Sequence, residues 1–112
     1  MKLPNAEEAW VHPDKILKYL LSETHETGGP KAAFFKRFGF SKEQWTVLDA
    51  ALRRHARETD VVRTIESPNG VKYVLEGPLY TPDGRTPYIR SIWMIKWNMT
   101  VARLVSAYPL GK

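Results

Sequence analysis

The stretch NGVKYVLEGPLYTPDGRTPYIRSIWMIKW, residues 69–97, decides the fold because it contains two long apolar runs separated by turn signals. Asn69-Gly70 at its start is a favoured two-residue connection between antiparallel strands. A second turn is predicted at the Pro-Asp-Gly of residues 82–84, where glycine suits a left-handed position. The two apolar runs are therefore expected to pair as neighbouring antiparallel strands.

Further strand-like runs lie on both sides of this stretch. The predicted strands are 61–66, 71–79, 88–97 and 101–108. Because strands joined by short turns usually pair with their chain neighbours, they are expected to form an antiparallel meander. Alternation along the third strand places Arg90 and Trp93 on opposite faces, but it does not tell which face is open.

The first half of the chain shows helical periodicity instead. One helix is predicted to begin at Pro13, a second near Pro30, and a third after the S-x-x-Q capping box that starts at Ser41. The first helix carries an apolar stripe that is expected in the core: Ile16, Leu17, Leu20 and Leu21.

These patterns predict an α+β fold, with three N-terminal helices packed on one face of an antiparallel β-meander of about four strands. A chain of 112 residues suits one domain. The expected organisation is a single domain over 1–112, with a helical half over 1–59 and a meander half over 60–110.

Composition narrows the function classes. The formal net charge is +5 and there is no cysteine, so thiol catalysis, disulfides and thiolate metal sites are excluded. No histidine or carboxylate spacing matches a metal motif, and no phosphate-loop motif is present. No apolar run approaches the roughly 20 residues of a membrane helix, and the first residues do not resemble a signal peptide. A cytoplasmic protein without cofactor or metal is expected. Its basic charge is explained equally by RNA as a partner and by solubility alone.

The segment THETGGPKAAFF, residues 24–35, is the main local indication of a site. His25 precedes a predicted helix start, Gly28 and Gly29 allow backbone amides to approach a phosphate, and Lys31 falls in the first helical turn. A lysine there opposes the helix dipole unless an anion binds between them. The alternative is an ordinary loop with a solvated lysine, and the residues alone leave both open.

This set suits metal-free cleavage of RNA, whose 2′-hydroxyl supplies the nucleophile. Histidine can act as acid or base, while Lys31 and Arg90 can hold the phosphate. Arg90 lies within an apolar strand and needs either an ion-pair partner or an anion. Ser106 and Tyr108 share a strand face, either as ligand-positioning hydroxyls or as packing residues. Trp93 is either a base-stacking platform or part of the core.

Several segments, in order along the chain, resemble a bacterial family of small domains of unassigned function, found alone and as C-terminal modules of polymorphic and contact-dependent inhibition toxins. They are KLPNAEEA, KILKYLLSETHETGGPKAAFF, GFSKEQW, GVKYVLEGPLYTPDGRTPYIRSIW and ARLVSAYP. The helices-then-meander order is also similar to the barnase, EndoU, colicin and RelE group of ribonuclease toxins, by analogy of topology.

The resemblance implies a metal-independent endoribonuclease toxin that acts on RNA such as tRNA or mRNA and pairs with a small neutralising protein. The residues it points to are His25, Gly28, Lys31, Tyr73, Arg90, Ser106 and Tyr108. Two positions depart from the family pattern: Ser106 stands where relatives carry threonine, and Glu26 stands where they carry proline. The alternative function is a non-catalytic module of a toxin–antitoxin-type system that binds RNA or protein.

Overall fold

The computed structural model describes residues 1–25 and 29–110, and in it helices precede strands. The helical elements are a 3₁₀ turn (Ala6–Glu8), helix α1 (Pro13–Lys15), a π-helical turn (Ile16–Leu20), helix α2 (Gly29–Arg37) and helix α3 (Trp45–Glu58). The strands are β1 (Val61–Ser67), β2 (Gly70–Pro78), β3 (Tyr88–Lys96) and β4 (Arg103–Pro109). The predicted α+β class is confirmed.

The strands form one sheet in the order β1-β2-β3-β4, and each neighbouring pair is antiparallel. This is the predicted meander. The first turn lies one residue earlier than predicted, because Pro68 and Asn69 form it and Gly70 already belongs to β2. Gly70 lies so close to the Ile95 carbonyl that a side chain at this position would clash.

A bulge in β4 decides which side chains reach each face of the sheet. Ile92 pairs with Ser106, whereas the next residue, Trp93, pairs with Leu104. Val105 is therefore an extra residue in the ladder. The bulge allows Leu104 to enter the core, where it is 3% exposed, while Ser106 points to the opposite face.

The core lies between the helices and the face of the sheet that carries Trp93. Leu48 and Leu52 of α3 are fully buried, as are Leu75 of β2 and Trp93 of β3. Helix α3 contacts both of these strands. The other face, which carries Arg90, is called the open face below.

The first helix departs from regular α geometry in its second half. The Leu21 amide donates to the Ile16 carbonyl at 2.8 Å, which is an i to i+5 bond of π type. Ile16, Leu20 and Leu21 are fully buried as predicted, but Leu17 is only half-buried. The wide turn also carries Tyr19, whose hydroxyl reaches strand β4.

Helix α3 follows the predicted capping sequence with a small offset. The Gln44 amide donates to Ser41 Oγ at 3.3 Å, although regular helix begins only at Trp45. The helix has 14 residues. Within the described ranges, no helix is long and apolar enough to cross a membrane.

Candidate functional site

The rings of Tyr19 and Tyr108 contact side chains from several separate segments of the chain at one border of the sheet. Tyr19 comes from the π-helical turn, and Tyr108 lies on β4 directly opposite Arg90 of β3. Both tyrosines are partly buried. The bulge in β4 and the wide helical turn together set this arrangement, because they orient Tyr108 and Tyr19 toward the same region.

His25 lies against Tyr19. The two rings meet edge-on, with 4.8 Å between their centroids, and His25 is exposed. The Tyr19 hydroxyl lies 3.3 Å from Ser106 Oγ, so either group can donate. The exposed His25 imidazole therefore contacts the Tyr19 ring, and the Tyr19 hydroxyl in turn lies close to the Ser106 hydroxyl.

Lys31 lies close to both tyrosines. Its Nζ is 5.1 Å from the centroid of the Tyr19 ring and 5.7 Å from that of Tyr108, distances at which an ammonium and an aromatic ring attract. Lys31 falls in the first turn of α2, where the helix dipole adds positive potential. An open cavity of about 400 Å³ is lined by Lys31 and Tyr108 together with two prolines.

Arg90 reaches Tyr108 from the neighbouring strand. Its Nη1 donates to the Tyr108 hydroxyl at 3.3 Å, and its Nε donates to Glu76 Oε2 at 2.7 Å. These hydrogen bonds, that of Tyr108 first, raise the pKa of Arg90, so the guanidinium stays charged. Glu76 is the ion-pair partner that a charge within an apolar strand requires.

The five residues expected to be catalytic therefore form one connected set. Tyr19 contacts His25, Lys31 and Ser106. Tyr108 is itself a member and contacts Lys31 and Arg90. With Tyr19, the set combines an imidazole, an ammonium, a guanidinium and three hydroxyls from five segments of the chain, and it lies beside an open cavity.

Three of the remaining residues expected to bind RNA or phosphate, Gly29, Tyr73 and Trp93, are not brought into this set. Trp93 has no exposed surface and lies in the core, which leaves no ring face for a base. Tyr73 pairs with Trp93 and packs against the same core. The Gly29 amide donates to the His25 carbonyl at 2.9 Å, so it is used within the protein. Gly28 lies outside the described residues.

Sequence reasoning missed two residues of the site, Tyr19 and Glu76. Glu76 stands directly opposite Arg90 in the ladder, so counting the β2–β3 register outward from the second predicted turn, at residues 82–84, could have found it. Tyr19 gave no such signal, since its position depends on a π-helical turn that residue periodicity does not predict.

A second histidine, His55, occupies a contrasting environment on the core face. It is 2% exposed; its Nδ1 lies 2.9 Å from Ser91 Oγ and its Nε2 lies 3.1 Å from the Gly77 carbonyl. Since that carbonyl can only accept, Nε2 carries the proton and Nδ1 accepts from Ser91. Ser91 in turn accepts from Trp93 Nε1 at 2.9 Å. Burial lowers the pKa of His55, and the Gly77 hydrogen bond opposes this in part.

Metal chemistry finds no support in the arrangement of ligands. In the part of the chain that the structure describes, no group of three or more histidine or carboxylate side chains could hold a metal ion. The site described above instead offers cations and hydroxyls, which suit an anionic ligand.

The chain belongs to the family described as "Domain of unknown function (DUF6883)", whose model matches residues 2–111. No curated protein matches the sequence. Among solved structures, the fold is similar to a chain of the contact-dependent growth inhibition toxin–immunity protein complex from Klebsiella pneumoniae 342. The TM-score is 0.74 with 16% sequence identity, over 96% of this chain and 97% of that chain. At this identity the likeness concerns the fold.

Proposed function

We propose that this protein is a toxin-like, metal-independent endoribonuclease that cleaves RNA by attack of the 2′-hydroxyl on the adjacent phosphate. The observation that carries the proposal is the contact of His25, Lys31 and Arg90 with two linked tyrosines. His25 and Lys31 come from the loop before α2 and its first turn, whereas Arg90 comes from the distant strand β3. A shared anionic ligand accounts for their meeting.

Each group then has a defined chemical role. His25 acts as the general base or acid in one of the two proton transfers. The 2′-hydroxyl gives up its proton to a base as its oxygen bonds to phosphorus, the bond from phosphorus to the 5′-oxygen breaks, and that leaving oxygen takes up a proton from an acid. The products are a 2′,3′-cyclic phosphate and a 5′-hydroxyl.

The two cations and the hydroxyls act on the phosphate. Lys31 and Arg90 stabilise the negative charge that grows on its non-bridging oxygens. Ser106 and Tyr108 fix its position by hydrogen bonds, and Tyr19 holds the imidazole and the ammonium beside them. Since Glu76 shares the guanidinium with Tyr108, the phosphate competes with a carboxylate for Arg90.

The likeness to a chain of a toxin–immunity protein complex supports the toxin assignment and a protein partner. We extend this to a small neutralising protein that covers the open face, where His25, Lys31 and Arg90 meet. Such a protein would protect the cell that makes the enzyme. The substrate is RNA of the tRNA or mRNA class, and the site of action is the cytoplasm.

A non-catalytic module that binds RNA or protein is the second candidate function. The Glu76–Arg90 ion pair favours it, because a guanidinium that already has a carboxylate partner needs no substrate to be stable. A module of this kind would bind RNA in a salt-dependent manner without forming product.

Cleavage of RNA in EDTA by purified protein separates the two functions. The expected result is a cyclic-phosphate product, with a bell-shaped dependence of rate on pH. Both His25→Ala and Lys31→Ala should abolish most of the product. Lys42→Ala is the matched control, because Lys42 is an exposed lysine in the turn before α3. Binding without product, or cleavage by His25→Ala at the wild-type rate, would contradict the proposal.

A further inference from the structure

A second cavity, larger than the one beside Lys31, lies next to His25 and Tyr19. It has a volume of about 630 Å³, within the range of roughly 300–1,000 Å³ that is typical of ligand sites. His25 and Tyr19 line it at one end, and it extends over the open face to Lys72 and Arg103. We call it the basic groove.

The charge of the basic groove is strongly one-sided. Four lysine and arginine side chains line it, against one carboxylate, that of Asp14. The excess of three positive charges is a large part of the formal net charge of +5. Lys18 lies 3.8 Å from Asp14, and Lys15 lies 5.2 Å from the centroid of the Tyr19 ring.

Lys72 and Arg103 are the two cations of the groove that come from the sheet, and both stand apart from carboxylates. Among residues 1–25 and 29–110, neither has an acidic group within ion-pair distance. Both flank Met94 across the ladder, on the open face. Because neighbouring strands lie about 4.8 Å apart, Lys72 and Arg103 stand about 10 Å apart across Met94, where both can face one extended anionic ligand.

The floor between these cations is apolar. Met94 lines the groove between Lys72 and Arg103 and is nearly buried. A floor of this kind suits the sugar and base of a nucleotide, while the cations around it suit phosphates. An acidic protein segment would match the charge equally well. It would not explain why the groove is continuous with His25, whereas an RNA strand that reaches the reaction centre would.

We infer that the basic groove binds the RNA strand next to the bond that is cut, with Lys72 and Arg103 neutralising backbone phosphates. The inference rests on the proposed function, because it takes the His25 end of the groove as the reaction centre. The expected substrate is single-stranded RNA that continues past the scissile phosphate across the open face.

The test uses a ligand that binds but cannot react. A short fluorescein-labelled oligonucleotide of 2′-O-methyl RNA lacks the nucleophile, and its affinity for the full chain is measured by anisotropy over a range of salt concentrations. The double variant Lys72→Ala/Arg103→Ala should bind about tenfold more weakly. Its salt dependence should fall by about 0.7 in logarithmic slope for each lost phosphate contact.

The matched control is Lys42→Ala/Arg57→Ala, which removes one lysine and one arginine that are exposed elsewhere. It should keep the wild-type affinity and slope. Equal affinity of the two double variants overturns the inference. A second outcome would also overturn it: Lys72→Ala/Arg103→Ala loses binding to polyglutamate but keeps binding to the oligonucleotide. That result would assign the groove to an acidic protein.

Failure of the proposed function is distinguishable from failure of the inference. Wild-type protein that binds the oligonucleotide through the groove but leaves unmodified RNA intact would overturn the ribonuclease and keep the nucleic-acid site. Protein that cuts RNA while both double variants bind alike would keep the ribonuclease and overturn the groove. Thermal unfolding of each variant confirms that it is folded.

Discussion

The two faces of the sheet each carry a histidine close to a serine and an aromatic ring, yet the two groups differ in every physical respect. His55, Ser91 and Trp93 are buried, and their hydrogen bonds form a closed chain that ends on the Gly77 carbonyl. His25 is exposed beside Tyr19, whose ring lies close to the ammonium groups of Lys15 and Lys31.

The two histidine environments differ in whether the imidazole has a complete set of hydrogen-bond partners or is open to a ligand. A buried polar group is stable only when its partners are complete, and the His55 network meets this condition. It ties α3 to β2 and β3. The His25 group meets a different condition, since a ligand can reach it and the surrounding charges favour an anion.

The largest expected effect separates the two histidines by activity. His25→Ala should reduce RNA cleavage by about 1,000-fold, within the usual range for a lost acid or base. Because the side chain is exposed, the unfolding midpoint in urea should stay near that of the wild type. Cleavage and urea unfolding of the same preparation check both parts. A loss of stability that matches the loss of activity would remove the distinction between the two sites.

His55→Ala should produce the reverse result, a loss of stability. The change leaves Ser91 and the Gly77 carbonyl without their partner and opens a cavity, at a cost of about 3 kcal/mol. Urea unfolding measures this free energy. If the variant remains folded at the assay temperature, its cleavage rate per folded molecule should be close to that of the wild type. A stability change below about 0.5 kcal/mol would contradict the structural role.

Gly77→Ala tests how closely α3 approaches β2. A Cβ at this position would lie 2.8 Å from Thr59 Cγ2, so the helix end or the strand must shift, at a cost of about 2 kcal/mol. Thr59→Ser removes that methyl group and should restore part of the loss in the double variant. If the two effects simply add, the close contact is not the cause of the destabilisation.

The pH dependence of stability should report His55. Its folded pKa is lowered from 6.5, so the unfolded chain binds a proton that the folded chain resists. The free energy of unfolding should therefore fall as pH decreases below about 6.5, by at most about 1.4 kcal/mol per pH unit. Urea unfolding measures this slope between about pH 8 and about pH 5, because this range lies above the ordinary pKa values of carboxylates.

His55→Gln is the control for this slope, because it keeps a polar side chain without a titrating ring. Its stability should change less with pH than that of the wild type over the same range. A slope that persists in His55→Gln would assign the effect to other groups.

The smallest expected effect belongs to Glu76→Gln on the open face. The carboxylate and its Arg90 partner are both partly exposed, so the variant should lose less than about 1 kcal/mol of stability. Under the proposed function, removal of the competing charge should lower KM for RNA. Steady-state kinetics measures this, and a rise in KM would show that Glu76 holds Arg90 in place for the phosphate.

The sequence predicted the strands within one or two residues at most ends, since turn residues and apolar runs are local signals. The first turn was displaced by one residue because Gly70 serves a close approach to β3 and not the turn itself. Leu17 was expected in the core and is half-buried. Periodicity assumes a regular helix, and a π-helical turn breaks that assumption.

The candidate site was predictable in its residue types but not in its contacts. His25, Lys31 and Arg90 stood out because each was unusual in its local context. Tyr19 and Glu76 have no unusual context, and they were missed. Trp93 was proposed as a base-binding platform because alternation could not tell the core face from the open face.

The sequence by itself determined the order of elements, the antiparallel pairing of neighbouring strands and the excess of positive charge, because these depend on short-range patterns. Only the tertiary structure decided that α3 covers the Trp93 face, that the β4 bulge turns Ser106 outward, and that two tyrosines join His25 to Arg90. These contacts join residues far apart in the chain, and packing of the whole molecule sets them.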